Sequence, residues 1–82
     1  MEHELKCWPE YFEKVLDLSK TFEVRKDDRG YQTGDWLILR EWDPVWNRYT
    51  GRSVDRRVSF LLRGGAFGIE AGYVVMGLSH GG

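Results

Sequence analysis

The run Lys20-Thr21-Phe22-Glu23-Val24-Arg25 gathers an ammonium, a hydroxyl, a carboxylate and a guanidinium within six positions. Thr21, Glu23 and Arg25 alternate with Phe22 and Val24, so an extended backbone puts the polar three on one face and the apolar two on the other. The expected arrangement has Phe22 and Val24 in the core and the polar set facing out. Arg25 can then offer a forked donor to a phosphate or a base edge, with Lys20 as a compact positive charge beside it. Glu23 can accept from an exocyclic amine or orient the two cations. In a desolvating cleft the same groups could do acid–base chemistry, with Lys20 and Glu23 as the catalytic pair. The plainer reading uses the same atoms. Lys20 complements the negative end of a helix, and Glu23 and Arg25 form a surface ion pair worth little.

A second group is Arg48, Arg52, Arg56, Arg57 and Arg63, interleaved with Trp46 and Tyr49. Guanidinium groups meet phosphates and rings stack on bases, so Arg48, Arg52 and Trp46 are candidates for contact with single-stranded nucleic acid. Equally, a twisted hairpin can cover its own rings with long basic side chains. A third use of the region is capture of a protein partner by exposed Trp42, Trp46 and Tyr49. Gly64-Gly65-Ala66-Phe67-Gly68 lacks the lysine and Ser/Thr of a phosphate loop and reads as a bend that folds Phe67 and Ile69 back on the sheet. Cys7 has no cysteine to pair with and no identifiable histidine partner, so it reads as structural. His3 lines the Lys20 cleft if the first strand runs beside it, and otherwise is a surface histidine. No Cys/His spacing suggests a metal, and no cofactor is implied.

These side chains need elements to hold them. Residues 3–6 suit a short strand. Pro9 suits the first turn of a helix, Glu10 and Glu13 suit its positive end, and Tyr11, Phe12, Val15, Leu16 and Leu18 recur at helical spacing, predicting a helix from about Pro9 to Leu18. Strand patterning follows over 21–25, 36–42, 54–62 and 73–78, broken by Asp27–Gly30, Thr33–Asp35, a long hairpin connection over 43–51, and Gly64-Gly65. One helix and four or five short strands predict an α+β domain spanning 1–82. Its sheet should be curled or form a small barrel with the helix over an opening, and residues 79–82 should be a loose tail.

Two prolines and 82 residues argue for one domain, and 41% hydrophobic with 15% aromatic residues argues for a packed core. Net charge is −1 but uneven. Residues 1–47 carry seven basic and eleven acidic side chains, while 48–82 carry five arginines against Asp55 and Glu70. A general electrostatic grip on nucleic acid is thereby disfavoured, and a local basic face is not. No apolar run is long enough to span a bilayer, and no signal-peptide pattern is present, so the expectation is a cytosolic protein, monomeric by default.

Lys20-Thr21-x-Glu23-x-Arg25, directly after a helix, resembles the ASCH signature Gly-x-Lys-x-x-Glu-x-Arg, with Leu18 standing where the signature has glycine. His3-Glu4-Leu5-Lys6, Pro9-Glu10-Tyr11-Phe12, Gly34-Asp35, Gly64-Gly65-x-Phe67-Gly68-Ile69 and Gly72-Tyr73-Val74-Val75-Met76 resemble a subgroup of small bacterial and phage-associated domains of unassigned function, family 3850. The likeness runs from His3 to Leu78. It implies a PUA-like β-barrel with a cleft near the first helix. It also implies a role in binding RNA or a nucleotide through Lys20, Thr21, Glu23 and Arg25. Some relatives in the wider superfamily look like enzymes, a ribonuclease and an amidohydrolase acting on acetylated cytidine among them. In the latter the lysine at the position of Lys20 is taken to be catalytic, a threonine stands at the position of Glu23, and a separate downstream glutamate is needed. Glu70 does not match that glutamate. A nucleic-acid-binding module, a small hydrolase and a phage or plasmid accessory protein thus stand as three expectations. On the first, Arg25→Ala should weaken binding with little change in thermal midpoint.

Overall fold

The structure, a computed structural model, describes residues 1–80. The elements are β1 (Glu2–Cys7), α1 (Pro9–Leu16), β2 (Phe22–Lys26), β3 (Trp36–Asp43), β4 (Arg48–Arg63) and β5 (Tyr73–Ser79). Among the described residues the five strands form one curled sheet in the order β1-β3-β4-β5-β2. β1 runs parallel to β3, and every other pairing is antiparallel. The α+β class and the curled, barrel-like sheet agree with the sequence. The tail does not, because Ser79 closes β5 opposite Arg57. Residues 81–82 lie outside the described residues.

The register sorts the side chains onto two faces. Leu5, Leu37, Leu39, Val58, Val74 and Met76 point to the concave side and are buried, as are Phe12 and Val15 from α1. Each such aliphatic or aromatic side chain contributes roughly 1.5–3 kcal/mol against the entropy of ordering it. The helix is shorter than predicted, ending at Leu16 with Asp17 as its cap. Phe12 and Val15 face the sheet, whereas Tyr11, Leu16 and Leu18 stay substantially exposed. The expected third strand is the second half of the 16-residue β4, whose pairing with β3 is interrupted near Arg40/Trp42 and with β5 between Val58 and Phe60. Such bulges bend a strand, which lets one long β4 turn the corner of a curled sheet.

The glycine-rich bend does not return Phe67 to the sheet, since that ring is 84% exposed. Gly64 is what the bend needs. A Cβ there would meet the Glu70 carbonyl oxygen at 1.9 Å, so the two backbone segments approach too closely for any side chain. Gly64 N–H donates to the Tyr73 carbonyl at 2.7 Å and Gly65 N–H to that of Ile69 at 2.8 Å.

Candidate functional site: the seam between the sheet edges

Because the sheet curls, its two edge strands β1 and β2 come together without a ladder between them. Arginines cross the gap instead. Arg25 donates to the Lys6 carbonyl at 2.6 Å, and Arg29, in the turn after β2, donates to the Glu4 carbonyl at 2.7 Å. Carbonyls two residues apart on a strand point the same way, so both belong to the free edge of β1. A free edge leaves polar groups unpaired, and two guanidinium groups satisfy them here.

Glu23 sits behind Arg25. Its register partner is Met76, which is wholly buried, so Glu23 must face the concave side. The expected orientation of β2 is therefore inverted. Glu23 is 5% exposed, while Phe22 and Val24 face outward at 46% and 50%. Alternation told which residues share a face but not which face is inner, and the usual apolar-inward rule failed because the buried carboxylate is doubly paired. Lys20 Nζ donates to Glu23 Oε1 at 2.7 Å, and Arg25 Nε donates to Oε2 at 2.6 Å. Both cations are themselves mostly shielded from water. Two cations on one carboxylate leave a local charge of +1, with N–H groups to spare on both. Lys20 Nζ also lies 5.2 Å from the Phe22 ring and 5.9 Å from that of Tyr11.

The turn that delivers Lys20 is held by the residue that departs from the ASCH pattern. Leu18 has φ 69°, the left-handed conformation that a glycine adopts freely. Leu18 N–H donates to the Val15 carbonyl at 3.3 Å and Lys20 N–H to that of Lys14 at 2.9 Å. The glycine-like backbone is retained by a side chain that pays roughly 1–2 kcal/mol for it. Asp17 fixes the same corner, accepting from Ser19 N–H at 2.8 Å and from the Ser19 hydroxyl. Those bonds lower its pKa.

The remaining predicted residues do not all join this site. Thr21 is exposed, and its carbonyl accepts from Leu78 N–H at 2.9 Å. His3 is buried against other partners: Nε2 lies 2.9 Å from Asp35 Oδ2, and its ring packs edge-on to Tyr31 at 4.7 Å. It stands four residues, about 13 Å, along β1 from Cys7, the inward residue that feels the charges of Glu23, Lys20 and Arg25. Burial, then Glu23, pushes the Cys7 thiol up, which disfavours the thiolate. Burial pushes Asp35 up too, but hydrogen bonds from His3, Gln32 N–H and the Met1 amino group outweigh it and lower its pKa.

Arg52 and Arg48 part company. Arg52 holds the buried Glu41 with Nε at 2.9 Å and Nη2 at 2.9 Å, and also pairs with Glu13 of α1. The Arg52 bonds lower the Glu41 pKa against the effect of burial, with help from the Thr50 hydroxyl at 2.7 Å. Arg52 thus ties the helix to the hairpin. Arg48 and Trp46 lie at the exposed hairpin tip, 5.8 Å apart. Trp42 and Tyr49 stack edge-on at 4.9 Å under Lys6 and Arg40, which sit 3.9 and 3.8 Å from their ring centres. Lys6 from β1 covers the Trp42 ring and Arg40 from the hairpin itself covers Tyr49, leaving Trp46 open. Sequence reasoning missed Lys6, Arg29, Arg40 and Asp35, because each acts on a residue remote in the chain and no short motif links them.

The site is a surface seam. No pocket opens among the described residues, and no group of His, Cys, Asp and Glu there could hold a metal ion. No helix among them is long and apolar enough to cross a membrane. Comparison with known proteins places the chain. Residues 2–78 match the model of a domain of unknown function, DUF3850. The chain belongs to that family. It is also 47% identical over 57 residues to an uncharacterized 12.9 kDa protein in the GpA 3' region of Escherichia phage P2, a stretch covering 70% of this chain and 50% of the phage protein. The chain thus spans about half the length of the curated relative it matches. This DUF3850 domain is therefore phage-associated by kinship.

Proposed function

We propose that this DUF3850 domain is a non-enzymatic module that binds RNA or a nucleotide-like anion at the seam, and that it is a PUA-like domain of ASCH kinship. The observation carrying the reading is the Lys20–Glu23–Arg25 cluster. A buried carboxylate holds two cations at 2.7 and 2.6 Å at the edge of the sheet, with net charge +1 and half-exposed rings of Phe22 and Tyr11 alongside. Cations held in place lose little entropy on meeting a phosphate, and adjacent rings offer stacking surfaces. Compatible with the kinship is Leu18, which stands at the signature's glycine position and has φ 69°, a backbone that glycine adopts freely.

The hydrolase reading has less behind it. The hydrolase that the resemblance implies needs a separate downstream glutamate beside the lysine, whereas the carboxylate that Lys20 holds is Glu23, at 2.7 Å. Binding of short fluorescent single-stranded RNAs, followed by anisotropy, tests the proposal. Wild-type protein should bind at low salt and Lys20→Gln should bind several-fold more weakly. Equal binding by both would remove Lys20 from the site. Turnover of RNA or acylated nucleosides that Lys20→Gln abolishes would replace the binding module with the enzyme.

A further inference from the structure

The outward face of β2, β5 and β4 carries the exposed apolar side chains Phe22, Val24, Phe60, Leu62 and Tyr73. Cross-strand register aligns Phe22 with Gly77 and Gly77 with Phe60, and the next row aligns Val24, Val75 and Leu62. Phe60 is 67% exposed. Phe22 and Phe60 stand two strands apart, about 10 Å, with a residue lacking a side chain between them. A planar ring in contact with both faces needs about 7–8 Å between its neighbours, so the spacing admits one. The floor is polar. The bulge residue Ser59 places its Oγ 2.9 Å from where a Gly77 Cβ would be.

The charges that flank the slot are basic, with the acidic Asp55 and Asp27 lying just beyond Arg57 and Lys26. Lys26 pairs with Tyr73 at one end, Arg57 pairs with Ser79 at the other, and Lys20 reaches to 5.2 Å from the Phe22 ring at the β2 edge. No Asp or Glu occupies an outward-facing position of β2, of β5, or of β4 from Arg57 onward. Rings, a polar floor and a basic rim are the features single-stranded nucleic acid uses. A second copy of the chain would bring like charges together.

We infer that this face is a base-stacking surface for single-stranded nucleic acid. A nucleobase enters the slot over Gly77 between Phe22 and Phe60, and flanking phosphates meet Lys20, Lys26 and Arg57. This deepens the reading above, on whose ligand class it rests, by adding a base site to the cation site. With three cations engaged, log affinity should fall against log salt with a slope of about −2.

The test measures anisotropy of a fluorescent single-stranded RNA of about ten nucleotides with wild type, Phe60→Ala, Gly77→Ala and Lys20→Gln. Thermal unfolding and sedimentation are run on each. Phe60→Ala removes an exposed ring and should leave the fold intact while weakening binding roughly 5- to 150-fold, the range one base–aromatic contact is worth. Gly77→Ala raises the slot floor and should weaken binding too. If Lys20→Gln weakens binding and Phe60→Ala and Gly77→Ala do not, the seam reading survives and the stacking surface falls. If wild type binds no RNA, both fall. A dimer that Phe60→Ala dissociates, with RNA binding unchanged, would make the face a self-association surface instead and overturn the inference.

Discussion

Removing the Arg25 side chain should destabilise the protein, contrary to what its sequence position alone suggests. Arg25→Ala deletes the bond from Nε to Glu23 at 2.6 Å and the bond from Nη2 to the Lys6 carbonyl at 2.6 Å. Hydrogen bonds to charged groups are worth about 1.5–3 kcal/mol each. Arg25 is 28% exposed, so water replaces part of what is lost. Glu23 keeps Lys20 and is not stranded as a lone buried charge. The net cost is therefore about 2–3 kcal/mol, below the sum of two full bonds. For a domain of this size that is a fall of roughly 8–24 °C in thermal midpoint, out of a total stability of about 4–12 kcal/mol. Arg25→Lys keeps the charge but cannot fork to both acceptors, so it should fall between Ala and wild type. Urea and thermal unfolding followed by tryptophan fluorescence measure the difference. Hydrogen exchange should show β1 amides opening first. A midpoint within about 2 °C of wild type would refute the clasp and return Arg25 to the role of a free ligand arm.

Other expectations follow from single residues. Leu18→Gly should be neutral or stabilising by up to about 1 kcal/mol in urea unfolding, while β-branched Leu18→Val at the same positive φ should cost about 1–2 kcal/mol. Gly64→Ala should lower the thermal midpoint sharply, since a Cβ at 1.9 Å from the Glu70 carbonyl oxygen forces the backbone apart. Asp35 and Glu41 have folded pKa values below their ordinary 3.8 and 4.5. Their contribution is complete above those ordinary values and is lost as pH falls through the lower folded ones. Acid unfolding of Asp35→Asn should thus show a shallower loss of stability below about pH 4 than wild type, and an unchanged slope would contradict the pairing.

Much of the element order was legible. Pro9 with the spacing of Phe12 and Val15 located α1, and the strand patterning over 36–42 located β3. The inner face of β2 was not legible. Phe22 and Val24 look like core residues until the register with Met76 is known, and that register depends on a strand some fifty positions away. The cluster of Lys20, Glu23 and Arg25 was found from spacing, but its closeness was not. Three charges meet on a strand edge only because β1 lies opposite and supplies the Lys6 carbonyl. The partner of His3 was illegible for a similar reason: Asp35 was read only as part of a turn. Gly77 carried no signal in the sequence, since its meaning comes from Phe22 and Phe60 on either side.

The most direct test of nucleic-acid recognition is an amide NMR titration of the labelled protein with nucleosides and short single-stranded RNAs. Saturable shifts should concentrate on Lys20 to Arg25, on Gly77 and around Phe60, and should fade as salt rises. No shifts at any concentration, or shifts confined to the hairpin tip around Trp46, would contradict the account.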